Sequence, residues 1–249
     1  MTNANYAIEC TDLRLRYPRQ HSEALAGISL AVPRGAICGL FGRNGAGKTS
    51  LMALLAGLRR PSGGSVRVFG GDPWENARIA PQVAFVFSKN NPDAVINTIN
   101  AQNLLKMGAL FRPNWDADFA AHLFKRFDVP LKKAAGKMSQ GQAAALRCAI
   151  GLASRAPLTI FDEAYLGMDA VYRKIFVDEL LADYLAHPRT ILFSTHYIAE
   201  MERLFSEAIV IDAGQVLIHD DADILREQGT TLQDLFIKLT LKEGESYGN

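Results

Sequence analysis

The chain has few of the features that narrow a chemistry quickly. Its 249 residues hold three cysteines, Cys10, Cys38 and Cys148, and their spacing matches no metal-binding pattern. Cys38 and Cys148 lie in apolar runs and read as buried thiols, which suits a reducing compartment. Neither sign of charge dominates. The 27 basic and 26 acidic residues leave a net +1, so there is no basic footprint for nucleic acid. No apolar run approaches the roughly 18 residues that cross a bilayer, and the N-terminal residues carry no basic-then-apolar signal segment. Internal repeats and low-complexity stretches are also missing. With 49% hydrophobic residues, the composition is that of a globular chain able to bury a sizeable core, as one large domain or two small ones.

Against this background one stretch stands out. Gly42-Arg43-Asn44-Gly45-Ala46-Gly47-Lys48-Thr49 fits G-x-x-x-x-G-K-[ST], the phosphate-binding P-loop. The apolar run Ile37–Phe41 before it reads as a buried strand, and Ser50–Leu58 after it reads as a helix. Glycines let such a loop curl with its N–H groups pointing inward, and the helix N-terminus adds partial positive charge. Lys48 is then placed for the β- and γ-phosphates and the Thr49 hydroxyl for Mg²⁺.

The rest of the chain alternates in character. Residues 6–33 read as strands, with Ile8, Cys10 and Leu15, then Ile28, Leu30 and Val32, on apolar faces. Tyr17 falls in the loop between them. Its ring suits either stacking on a base or packing at a sheet edge, and spacing does not choose. Ser65–Phe69 and Val83–Phe87 are two further strands. From 90 to 137 the periodicity is helical, with one helix over Thr98–Phe111 and another opened by Asp116, whose stripe of Phe119, Leu123 and Phe127 reads as core. Ser139 is a natural N-cap for an alanine-rich helix running to about Arg155. A Ser-x-Gly helix start also suits an anion, although the plain cap is the better reading of those residues alone. Lys132, Lys133 and Lys137 read as a solvated face.

Pro157–Glu163 is an apolar strand ending in two carboxylates. In a chain with a P-loop, the strand's carboxyl end puts Asp162 in reach of Mg²⁺ and Glu163 in reach of an attacking water; the bland alternative is a strand cap facing solvent. Ala170–Ala186 is an amphipathic helix and Thr190–Ser194 the next strand, followed by Thr195-His196. A lone histidine there is more often structural than a phosphate ligand. Asp212–Gln215 reads as a hairpin turn, and 221–240 as two short helices separated near Gly229.

In this order the motifs resemble the ATP-binding subunit of an ABC transporter, over about Tyr6 to Thr240. The discriminating feature is the Ser139–Gln142 signature, set between a helical insertion and the Asp162-Glu163 strand. The resemblance implies an α/β fold: a P-loop NTPase (RecA-like) core with a mainly parallel sheet, an N-terminal antiparallel β subdomain and an inserted α-helical subdomain. It implies a single domain over 1–240, with 1–88 and 150–220 as the α/β core and β subdomain. Residues 89–149 become the helical subdomain, 221–240 the C-terminal helices and 241–249 a frayed tail. Tyr17 matches the aromatic that stacks on adenine. Gly42, Asn44, Gly45, Ala46, Gly47, Lys48, Thr49 and Ser50 belong to the phosphate loop. Asp162 is the Mg²⁺-binding carboxylate, Glu163 the catalytic base and His196 the switch histidine. Ser139, Gly141 and Gln142 would bind the γ-phosphate of an ATP held by a second subunit, and Asp169 would touch that subunit. The implied cofactors are ATP and Mg²⁺. The implied partners are a second ATP-binding subunit, read as a homodimer, and an integral-membrane transporter subunit, with no nucleic acid. That places the protein peripherally on the cytoplasmic face of the membrane.

Three positions depart from the family pattern. Ser88 stands where a glutamine helps bind Mg²⁺, and its shorter side chain reaches the metal only through water. Gln140 replaces a usual glycine, as in a branch of exporter ATPases. Ala164-Tyr165 replaces the usual Pro-Thr. The segment Phe111–Asp116 also looks like that branch, which includes bacterial antibiotic-peptide exporters. Two other readings compete. A soluble ABC-type ATPase acting on ribosomes or DNA would carry tandem cassettes, coiled-coil insertions or basic extensions, none of which is present. A non-catalytic ATP-binding module is opposed by Glu163 and His196 but left open by Ser88 and Tyr165, while a P-loop kinase would have no use for the signature helix.

Overall fold

The computed structural model describes residues 5–18, 21–87, 95–227 and 230–240. Ser88, Gly229 and the tail 241–249 lie outside them. The described chain forms two compact units, one from residues up to Ile79 together with those from Leu192 onward, the other from Ala80 to Ile191.

In the first unit, β1 (Tyr6–Leu15) is the central strand of an antiparallel sheet, flanked by β2 (Leu25–Pro33) and β4 (Gly63–Val68). Cys10 pairs with Leu30 on one side and Val66 on the other. The buried apolar positions of β1 change parity along the strand, from Ile8 and Cys10 to Leu13 and Leu15. The cause is a register shift between Cys10 and Leu13, where Asp12 adopts φ 44° and its N–H donates to Ser29 Oγ at 2.9 Å. One extra residue in a strand turns its later side chains to the other face, which is why Leu15 shares an apolar face with residues out of phase with it.

The same unit holds β3 (Ile37–Phe41), buried at all five positions. A strand covered on both faces reads as a continuous apolar run. It pairs in parallel with β8 (Glu207–Asp212), which turns through Ala213-Gly214 into the antiparallel β9 (Gln215–Asp221). Both turn residues have positive φ, 45° and 76°, the backbone that matches a two-residue turn to the twist of its strands. Helices α1 (Lys48–Leu55), α6 (Ile198–Met201), α7 (Ala222–Glu227) and α8 (Leu232–Thr240) complete the unit.

In the second unit, β5 (Val83–Phe87) pairs in parallel with β6 (Leu158–Asp162). Four helices follow their caps closely. Asn100 opens α2 (Ala101–Phe111) and Asp116 opens α3 (Ala117–Arg126), each accepting from the backbone N–H three residues on. Ser139 opens α4 (Gln140–Ala153) and Asp169 opens α5 (Ala170–Ala186) in the same manner. The helix expected from Thr98 begins instead at Ala101, because a 3₁₀ turn occupies Val95–Thr98 and Asn100 supplies the cap. On α3, Leu123, Phe124 and Phe127 are buried as core, but Phe119 is only half-buried, with the Arg155 guanidinium 5.3 Å over its ring. The strand β7 (Thr190–Ser194) carries the chain from the second unit into the first, and all five of its residues are buried.

A buried ion cluster closes the far end of α5. The Asp183 carboxylate, 1% exposed, takes Arg189 at 2.7 Å and Arg155 at 2.9 Å, with His187 at 3.4 Å. Arg155 also reaches Asp116 at 2.9 Å, tying the α3 cap to the cluster. Burial holds the Arg189 guanidinium below its usual range, against the opposing pull of Asp183. All three cysteines are buried, and burial alone pushes the Cys10 thiol up to about 12.

Candidate functional site

The first unit carries Tyr17, the P-loop, Ser50 and His196. The P-loop leaves the buried end of β3 and closes onto α1 through Gly47, which serves as N-cap at φ 107°. A Cβ on Gly47 would stand 2.6 Å from the Ala24 carbonyl, so both backbone conformation and space demand glycine there. Lys48, at the first position of α1, is buried although it is charged. Its Nζ donates to the carbonyls of Gly42 at 2.6 Å and Arg43 at 3.2 Å, so the ammonium is held under the loop's own entrance. Thr49 is exposed beside it, as are Arg43, Asn44 and Gly45. A lysine held by carbonyls, an exposed hydroxyl and a helix N-terminus together suit a polyphosphate with its divalent cation.

The underside of this loop is built by the β8–β9 turn. Gly214 N–H donates to the Ala46 carbonyl at 3.0 Å, and the Ala26 N–H donates to the Gly214 carbonyl at 2.9 Å. This role was not legible beforehand: Asp212–Gln215 reads as a hairpin, and nothing local says that its turn lies beneath the P-loop. A Cβ on Gly214 would meet Ala24 O at 2.8 Å and Leu25 Cα at 3.0 Å. Gly214→Val is therefore expected to cost about 1–3 kcal/mol of stability through a β-branched residue at positive φ, and to weaken ATP binding as well. Chemical denaturation and nucleotide titration of the same protein check both.

Tyr17 is half-buried just beyond β1. Its hydroxyl shares a hydrogen bond with Ser50 Oγ at 3.0 Å, and the Arg59 guanidinium lies 4.7 Å over its ring. His196 is exposed after β7, in a turn where Thr195 Oγ1 accepts the Tyr197 N–H at 2.8 Å.

The second unit carries Ser139, Gly141, Gln142, Asp162, Glu163 and Asp169. Ser139 and Gln142 form a reciprocal cap: Gln142 N–H donates to Ser139 Oγ at 3.2 Å and Ser139 N–H donates to Gln142 Oε1 at 3.1 Å. The Ser-x-x-Gln spacing is a recognised signal for this capping box and would have disclosed it from sequence. Gly141 packs against the loop after β6, where a Cβ would come 2.8 Å from the Gly167 carbonyl. The signature helix start and the loop leading to Asp169 are thus in direct contact.

Asp162 is buried at the carboxyl end of β6, and Glu163 follows it half-exposed at φ 49°. A left-handed backbone on a residue that is neither Gly nor Asn is uncommon and clusters at functional positions. Tyr165, in place of the usual threonine, is buried with its ring 5.8 Å from Phe176. Phe161 meets the same Phe176 edge-on at 5.4 Å, so this departure serves as a hydrophobic anchor for the loop after Glu163. Asp169 is exposed and caps α5 by accepting Tyr172 N–H at 2.9 Å. Among the described residues no cluster of three His, Cys, Asp or Glu side chains forms a metal site, and no helix is long and apolar enough to cross a membrane.

Known proteins of one family resemble this chain over most of its length. The family described as "ABC transporter" matches residues 25–166. The zinc uptake system ATP-binding protein ZurA of Listeria innocua is 28% identical over 217 residues, 84% of this chain and 83% of the relative. The doxorubicin resistance ATP-binding protein DrrA of Mycobacterium tuberculosis is 29% identical over 233 residues, 92% of this chain and 70% of the relative. Among solved structures, an ATP-binding subunit of an ABC transporter superposes with a TM-score of 0.80 at 24% identity, covering 94% of this chain and 100% of its own. At that identity the likeness speaks for the fold.

Proposed function

Because the chain belongs to the ABC transporter family, we propose that it binds and hydrolyses ATP to power a separate membrane-spanning partner, through ATP-driven pairing with a second ATP-binding subunit. The observation that carries this reading is that one chain presents two helix starts suited to phosphate. One is the P-loop before α1, with its buried Lys48; the other is the Ser139 cap before α4, with Gly141 close against the following loop. A two-subunit sandwich, each ATP held by the P-loop of one subunit and the signature of the other, uses both.

In this reading Lys48 leaves the loop carbonyls for the β- and γ-phosphates, and the amides of Asn44 to Ser50 cradle them. Thr49 and Asp162 would hold Mg²⁺, with Ser88 assisting through water; hydroxyl and carboxylate oxygens are the donor types that suit that ion. Bound there, Mg²⁺ would offset the charge that develops on the transferred phosphoryl group. Glu163 takes a proton from the attacking water as its oxygen bonds to the γ-phosphorus, while the bond from that phosphorus to the β,γ-bridging oxygen breaks and ADP leaves. His196 steadies the γ-phosphate, and Ser139, Gly141 and Gln142 meet it from the second subunit. Asp169, exposed at the head of α5, lies on the contact surface between subunits. The helical insertion carries the contact with the membrane partner, at the cytoplasmic face.

The zinc-uptake and doxorubicin-resistance relatives are about equally similar. Export as the direction therefore rests on Gln140 and the Phe111–Asp116 segment. The test is direct. Purified protein should release inorganic phosphate from ATP with Mg²⁺ present and stop when the metal is chelated. Binding without any turnover would favour a non-catalytic module, and copurification with ribosomes rather than a membrane protein would favour the soluble alternative.

A further inference from the structure

The Arg59 side chain has no place in the roles assigned so far. It is exposed beyond the end of α1, and its guanidinium sits 4.7 Å from the centroid of the Tyr17 ring. Among the described residues no carboxylate pairs with it, so the aromatic face is its one described partner. The geometry behind this contact is built. Ser62 N–H donates to the Arg14 carbonyl at 2.8 Å, and Arg16 N–H donates to Ser62 Oγ at 3.0 Å. These two bonds fasten the segment that carries Arg59 to the strand end that carries Tyr17. On the ring's far edge, the hydroxyl is tied to Ser50, the residue that follows Thr49 on the phosphate helix.

Tyr17 is thus held at its edge by Ser50 and on one face by Arg59, so a base stacking on the ring would take the opposite face. A cation over one face of a phenol ring is attracted by the ring quadrupole. It also draws electron density from the other face, which favours an electron-rich purine there. We propose that Arg59 is a positioning residue for nucleotide selection: it backs the Tyr17 ring so that the opposite face presents a platform to a purine base at a distance from the phosphate loop fixed by the Tyr17–Ser50 bond. This deepens the ATP-binding reading and rests on it.

The experiment measures dissociation constants for MgATP and for Mg-tripolyphosphate, which has no base. Wild type is compared with Arg59→Ala, Arg59→Lys, Tyr17→Ala and the Tyr17→Ala/Arg59→Ala pair. Arg59→Ala should weaken MgATP by about three- to tenfold, the range of a partly exposed cation–π contact, and leave tripolyphosphate unchanged. Arg59→Lys should recover most of the loss. The double variant should bind MgATP no more weakly than Tyr17→Ala, since the effect travels through the ring. Unchanged or tighter MgATP binding by Arg59→Ala would overturn the inference, the second by showing that the guanidinium occupies the base's own face. Equal losses for both ligands, or a loss that persists without Tyr17, would also overturn it. Wild type that binds neither ligand would overturn the nucleotide reading itself, an outcome distinct from failure of Arg59.

Discussion

Glu163→Gln protein is expected to lose ATP hydrolysis by about 100-fold or more, the usual range for removing a general base, while still binding ATP. The substitution keeps the size and polarity of the side chain at the end of β6 and removes only its capacity to accept a proton. The backbone there already tolerates φ 49°, and an amide adds no steric demand, so folding should be unaffected. With hydrolysis blocked, ATP should accumulate between two subunits. Mass in solution should then double on adding ATP and Mg²⁺ and return to the monomer value on removing them. A monomer that binds ATP without pairing would mean that the second phosphate-seeking helix start belongs opposite a different chain. Hydrolysis at the wild-type rate would remove Glu163 from the mechanism.

Asp183→Ala is expected to destabilise the protein by about 3–5 kcal/mol, the range for removing one partner of a buried ion pair. The carboxylate is 1% exposed and the Arg189 side chain 5% exposed, so the guanidinium would remain buried without its counter-charge. Arg155 is less affected, because it keeps Asp116 at 2.9 Å. The measurement is the denaturant midpoint, with the slope unchanged if the transition remains two-state. Replacing both residues, as Asp183→Ala with Arg189→Met, should recover much of the loss, since exchanging a buried pair for apolar groups is often neutral. Recovery would locate the cost in the stranded charge rather than in lost packing.

Much of the fold was legible because its signals are local. The five-residue apolar run of β3, the caps Asp116 and Ser139, and the span Ala170–Ala186 depend on residues within a turn or two of one another. The P-loop belongs to the same class as a pattern, read within eight residues, although the space that demands glycine at position 47 is set by the distant Ala24 carbonyl. What was hidden depends on residues distant in sequence. Nothing near Tyr17 announces that Arg59 will cover its ring, and nothing near Gly214 announces the carbonyl of Ala46. The contact of Gly141 with Gly167, and the convergence of Arg155, His187 and Arg189 on Asp183, are equally products of tertiary packing. The parity change in β1 was present as a misfit, since Leu15 is out of phase with Ile8 and Cys10, but only the bulge at Asp12 explains it.

The turn beneath the P-loop also has a consequence in time. During synthesis the phosphate loop leaves the ribosome long before its floor: β3 meets the segment entering β8 across 169 residues, where Ile37 N–H donates to Ser206 Oγ, and Gly214 comes later still. At roughly 5–20 residues per second, that separation amounts to about 10–30 s of translation. Throughout this interval the nascent loop has neither the β8 neighbour that flanks its strand nor the amide that fixes Ala46. Competence to hold nucleotide therefore waits until the segment from Glu207 to Gly214 has been made, when the P-loop receives a strand and a turn from far along the chain.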